Sequence, residues 1–144
     1  MRDSALDIKV KLAAVWAAVT LCYLYCDYFE LYQPSKLQSM LAGRMGPLGE
    51  ASQGVLLGVS ILVSIPALMV FLSAFLPAGV NRVANLLFGA LFTLIMLVFL
   101  VSPGVWLYYK YFALVEVMLT CGAVWLAWHW PRQAATSPVL HGTA

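Results

Sequence analysis

Three acidic side chains stand inside or at the edge of long apolar runs: Asp27, Glu30 and Glu116. An acid in mid-membrane costs ~2.5–3.5 kcal/mol even on a lenient insertion scale, so such groups are candidates for function. Asp27 lies about one turn inside the far end of the first run, with Glu30 three residues further along the same helical face. Glu116 lies about eight residues, or ~12 Å, inside the last run. If the first run leads outward and the last leads inward, all three acids fall in the outer half. Two carboxylates facing one another in a low dielectric cannot both ionise cheaply, so one holds a proton or the pair engages a cation. Tyr23 stands one turn below Asp27, and Tyr109, Phe112 and Thr120 share the neighbourhood of Glu116, so rings and hydroxyls could line the same space. Such a lining suits a small amine or other organic cation, or an amphipathic ligand. The competing expectation is packing alone, with Glu116 as polar glue across the bundle and Asp27 and Glu30 reaching the aqueous edge. Lys110 could pair with one of the acids or snorkel.

Other chemistries find little support. Cys22 and Cys26 are one helical turn apart, a spacing badly directed for a disulfide, and Cys121 is remote in sequence. There is no C-x-x-C pair, and buried free cysteines are common apolar fillers. Cys22 as a lipoprotein acyl site is disfavoured by the bulky Leu21 before it. His129 and His141 bring no ligand cluster. A phosphate loop, a G-x-S-x-G elbow, an H-E-x-x-H pair and zinc-spaced cysteines are all missing, so no catalytic residue, metal or cofactor is expected and enzyme activity is disfavoured.

The elements that must position these groups follow from composition. Of 144 residues, 63% are hydrophobic and 10% charged, and mean hydropathy is +0.90. A soluble globule is excluded, because soluble domains are roughly a quarter charged. Four runs are long enough to cross a bilayer, at 12–31, 53–76, 82–101 and 107–130. The fold expected is all-α: a polytopic four-helix transmembrane bundle over 1–132, with a short outer-face segment between the first two spans and a disordered cytoplasmic tail over 133–144. The first run is too long for a signal-peptide core and lacks a cleavage site. Lys and Arg collect on one side as Arg2, Lys9, Lys11, Arg82 and Arg132, and on the other as Lys36, Arg44 and Lys110. That bias places both termini in the cytoplasm of a bacterial inner-membrane protein. A net charge of +2 without a basic stripe gives no reason to expect a nucleic-acid partner. Trp106, Tyr108, Tyr109 and Tyr111 at one boundary, and Trp125, Trp128 and Trp130 at the other, read as interfacial belts.

Within the outer segment, 32–52, Ser35 is placed to cap a short helix whose Leu37, Met40 and Leu41 share a face; tether and lid are equally open readings. Asn81 is placed to cap the third span after a tight turn at 77–81. Pro66 predicts a kink, with Ser60 and Ser64 near enough to help satisfy the freed carbonyls. Gly54-x-x-x-Gly58 and the alanines at 13, 14, 17 and 18 predict close helix approach, with packing inside the bundle favoured over a homo-oligomer seam. There is no internal repeat, which argues against an inverted-repeat transporter core.

The strings Asp27-Tyr28-Phe29-Glu30-Leu31-Tyr32-Gln33-Pro34 and Ala42-Gly43-Arg44-Met45-Gly46-Pro47 carry a family likeness, continued in the stretches at 65–73, 81–85, 115–116 and 127–131. The chain resembles an uncharacterised family of short bacterial membrane proteins with four spans, and its architecture is similar to that of DoxX-like four-helix proteins. The resemblance implies that Asp27, Asn81, Asn85 and Glu116 belong to family motifs and that Cys22 and Cys26 do not; it brings no activity. Three functions are therefore weighed. The first is binding or transport of a small ligand or cation at an outward-facing acidic and aromatic cavity between the first and fourth spans. The alternative is a structural or assembly subunit, and a redox or quinone-linked subunit ranks last.

Overall fold

The computed structural model describes residues 6–130. The expected tail over 133–144, and Arg2 and Arg132 in the charge count, lie outside the described residues. Five α-helices follow one another: α1 (Ile8–Glu30), α2 (Lys36–Leu41), α3 (Gln53–Phe75), α4 (Ala78–Val101) and α5 (Leu107–Trp128), with a 3-10 turn at Gly46–Leu48 before α3. The fold is all-α among the described residues, and α1, α3, α4 and α5 are each long and apolar enough to cross a membrane.

These helices are apolar all round, so an apolar stripe cannot tell them which face to bury. On α4 and α5 small and polar residues mark much of it, whereas α1 buries mainly large apolar ones. The buried positions are Leu12, Trp16, Val19 and Cys26 on α1, and Ala113, Glu116, Thr120, Ala123 and Ala127 on α5. On α4 they are Asn81, Asn85, Gly89, Phe92 and Met96, and on α3 Pro66, Met69 and Ser73. Steps of three, four or seven residues mark one seam per helix, as in near-parallel bundle packing. Meanwhile Leu57, Leu68, Leu87, Leu94 and Val98 all face outward. Among the described residues every buried polar side chain lies in these seams while most of the Leu, Val and Phe face outward, the distribution expected when the surrounding solvent is lipid.

Packing order around the bundle is α3, α1, α5, α4, and α3 and α4 touch sparingly although the shortest turn joins them. Trp16 and Tyr23 cross the middle from α1 and meet Phe92 of α4 edge-on, with ring centroids 6.1 and 6.0 Å apart. One end of the bundle holds the start of α1, the α3–α4 turn and the close of α5, and is called here the terminal end. The other, the loop end, holds the close of α1, α2 and the α4–α5 connection.

Several local expectations are corrected. Helix α4 begins at Ala78, so Asn81 is inside it and buried; its Nδ2 donates to the Ser73 carbonyl at 2.6 Å, and Pro77 occupies the cap position. The first helix starts at Ile8, earlier than expected, because Asp7 caps it by accepting from the Lys9 amide at 2.8 Å. Ser35 stands at the cap of α2 with φ 65 and its side chain makes no cap bond. Ser60 and Ser64 donate to the carbonyls of Leu56 and Ile61, not to the Leu62 carbonyl that Pro66 deprives of a donor. A Cβ built on Gly58 would meet nothing within 4 Å, and one on Gly54 only the Ser52 hydroxyl at 4.0 Å, so this pair faces away from the bundle's interior. Close approach occurs instead at Gly89, where a Cβ would lie 2.7 Å from Val124 Cγ2 and 3.4 Å from the Thr120 carbonyl. Packing of α4 on α5 therefore depends on a glycine that belongs to no G-x-x-x-G pattern.

Candidate functional site

Two polar regions occupy the interior, and they differ in how well they are satisfied. At the terminal end, Trp16 Nε1 donates to Asn85 Oδ1 at 2.7 Å. The Asn85 amide in turn reaches Asn81 Oδ1 at 2.7 Å, the Asn81 carbonyl at 2.9 Å and Ser73 Oγ at 3.3 Å. This closed network ties α1, α3 and α4 together where α3 and α4 otherwise barely pack. Between α4 and α5, the hydroxyls of Thr93 and Thr120 are 2.7 Å apart, and each also reaches the carbonyl one turn before it, Gly89 and Glu116 respectively.

Toward the loop end the pattern changes. Glu116 projects from the buried seam of α5 and is 2% exposed. Five polar or charged residues are buried, and Ser73, Asn81, Asn85 and Thr120 each make a side-chain hydrogen bond. Glu116 alone has neither a side-chain hydrogen bond nor an ion pair among the described residues. The Tyr23 hydroxyl is likewise buried and unpartnered. Tyr23 lies seven residues, about 10 Å, from the loop end of α1, and Glu116 nine residues, about 13 Å, from that of α5, so the two sit at similar depth. Asp27 is near enough to Glu116 for their charges to interact, and Tyr109 and Cys26 lie near both and near Glu30.

The other candidates are dispersed around this group. Asp27 is on the exposed rim, one turn above Tyr23. Glu30 is paired with Lys36 at the start of α2. Lys110 makes no ion pair among the described residues. Tyr109 is half-buried against Phe99, ring centroids 5.4 Å apart. Phe112 lies on Phe29 at 6.3 Å and joins Tyr32, Gln33, Trp106 and Tyr108 around an open cleft of about 310 Å³ at the loop end. Thr120 sits one turn deeper, in the α4–α5 seam. Tyr23, Asp27, Tyr109 and Glu116 thus share the loop-end half of α1 and α5, with Glu30 beside them held by Lys36, Phe112 at the cleft and Thr120 in the α4–α5 seam. The 32–52 segment is fastened by its beginning, where Lys36 holds Glu30 and the Gln33 amide donates to the Tyr108 hydroxyl; no residue of α2 is buried.

Cys22 is half-buried, Cys26 buried and Cys121 exposed, all as free thiols. No group of three or more His, Cys, Asp or Glu residues that could hold a metal occurs among the described residues. Two residues important to the interior were not singled out from sequence. Gly89 gave no pattern to find. Trp16 did give one, since a tryptophan about 12 Å inside a span is away from the interfaces where indoles concentrate.

A known family covers nearly the whole chain, matching residues 5–137. The chain belongs to DUF6326, a family of unknown function. No curated protein and no solved structure matches it, and the expected likeness to DoxX-like proteins is not shown. DUF6326 membership is consistent with four apolar helices in a short chain and carries no activity with it.

Proposed function

We propose that this DUF6326 chain is a multi-pass inner-membrane protein, both termini cytoplasmic, that binds or moves a small cation or cationic amphiphile between α1 and α5. One observation carries the reading: Glu116, 2% exposed, has no hydrogen-bond donor or counter-ion among the described residues, and at similar depth the buried Tyr23 hydroxyl has no partner there either. A bundle that satisfies Ser73, Asn81, Asn85 and Thr120 retains an acid that needs a proton or a cation at that depth. Asp27 on the rim supplies a first negative charge, Tyr109 and Tyr23 supply ring faces, and Glu116 supplies the charge at the bottom. A cation entering from the loop end exchanges its water for these groups in that order. The orientation is supported by the sequence count of Lys and Arg on alternate sides of the spans, five against three, with Arg2 and Arg132 of the five outside the described residues.

Tetraphenylphosphonium and tetraethylammonium serve as probes, with binding to the purified full chain measured by equilibrium dialysis. Losing a desolvated charge contact of about 2 kcal/mol predicts roughly 30-fold weaker binding for Glu116→Gln. Asp27→Asn, at the exposed rim, should weaken binding only several-fold. If the wild-type chain takes up neither probe, or a correctly folded Glu116→Gln variant binds as the wild type does, the proposal fails.

A further inference from the structure

We propose a second site, unrelated to the acidic groups of α1 and α5: a cleft at the terminal end that holds the phosphate of an anionic membrane lipid. The cleft is about 760 Å³ and is formed where the start of α1, the start of α4 and the close of α5 meet. Among the described residues three cationic side chains line it, Lys9 and Lys11 from α1 and Arg82 from α4, against one acid, Asp7. That acid is already engaged as the cap of α1, accepting the Lys9 amide. Arg82 uses Nε and one terminal nitrogen to hold the Ala127 and Trp128 carbonyls, at 3.1 and 3.5 Å. A guanidinium carries five N–H donors, so it can fasten the end of α5 and still present donors to the cleft. Ala78 and Gly79, the first residues of α4, also line the space, and no side chain caps this helix. Its free amides and its dipole therefore add to the positive field of the cations.

Position decides the occupant. The cleft lies at the ends of three membrane-length helices, with Trp125 and Trp130 in its wall. Indole rings settle at the level of lipid headgroups, and basic groups there attract anionic lipid. A phosphate diester whose acyl chains run down the apolar outside of the bundle satisfies the cations and keeps its tails in hydrocarbon.

The test uses the full chain in non-ionic detergent, offered phosphatidylglycerol and phosphatidylcholine in equal amounts, with native mass spectrometry to count retained lipid. Lys9→Gln/Lys11→Gln is the informative variant, because Arg82 also fastens α5. The wild type should retain phosphatidylglycerol preferentially, and the double variant should lower that retention about 30-fold, two basic side chains' worth at a membrane surface. Arg44→Gln/Lys110→Gln, at the loop end, should leave it unchanged. The proposal is overturned if the wild type shows no preference or if both double variants lose it equally. It is also overturned if equimolar inorganic phosphate displaces the lipid, which would make the cleft a site for the free anion.

Discussion

Asn85→Ala should destabilise the bundle by about 2–4 kcal/mol. The amide links three helices: it accepts from Trp16 Nε1, and it donates toward Asn81 and Ser73. Side-chain hydrogen bonds inside membrane proteins average about 0.6 kcal/mol, so three links give about 2 kcal/mol. Truncation also leaves the indole N–H of Trp16, a residue with 0% exposure, without an acceptor; stranding such a group costs about 1–3 kcal/mol and partly overlaps the first figure. The assay is reversible unfolding in mixed detergent micelles, run as a double-mutant cycle with Trp16→Phe. Phenylalanine removes the stranded donor, so the double variant should lose less than the sum of the singles, with a coupling of about 1–2 kcal/mol. A loss below about 0.5 kcal/mol, or single effects that add within about 0.5 kcal/mol, would refute the claim that this network fastens α1 to α4.

Gly89→Ala should cost about 1–3 kcal/mol, because its Cβ lands 2.7 Å from a branched side chain that cannot swing away. Adding Val124→Ala should recover much of that loss; the same unfolding assay reads both. Gly58→Ala should be neutral or stabilising by up to about 1 kcal/mol, since the added methyl meets nothing and the helix gains propensity. A marked loss there would mean that the face packs against another chain. With the probe-binding test at Glu116 and the lipid-retention test at Lys9 and Lys11, these measurements address the bundle and its two ends separately.

Length, hydropathy and turn residues were enough to read four membrane-length helices from the sequence, because the cost of exposing backbone to lipid makes a long apolar run helical whatever its neighbours do. The acids were legible for the same reason: in so apolar a chain a carboxylate is conspicuous. Which way each residue faces was not legible. Helices apolar on every side bury small and polar groups by mutual fit, so Gly89 became the point of closest approach while Gly54 and Gly58 were left outside. Asn81 looked like a cap because the turn before it seemed longer than it is; α4 begins at once after Pro77 and carries Asn81 into the network with Ser73. That Glu30 is held by Lys36 while Glu116 has no partner among the described residues was likewise decided only in three dimensions. Spacing along one helix fixes a residue's height in the membrane, but the partners that satisfy it come from other helices, and their arrangement is set by packing.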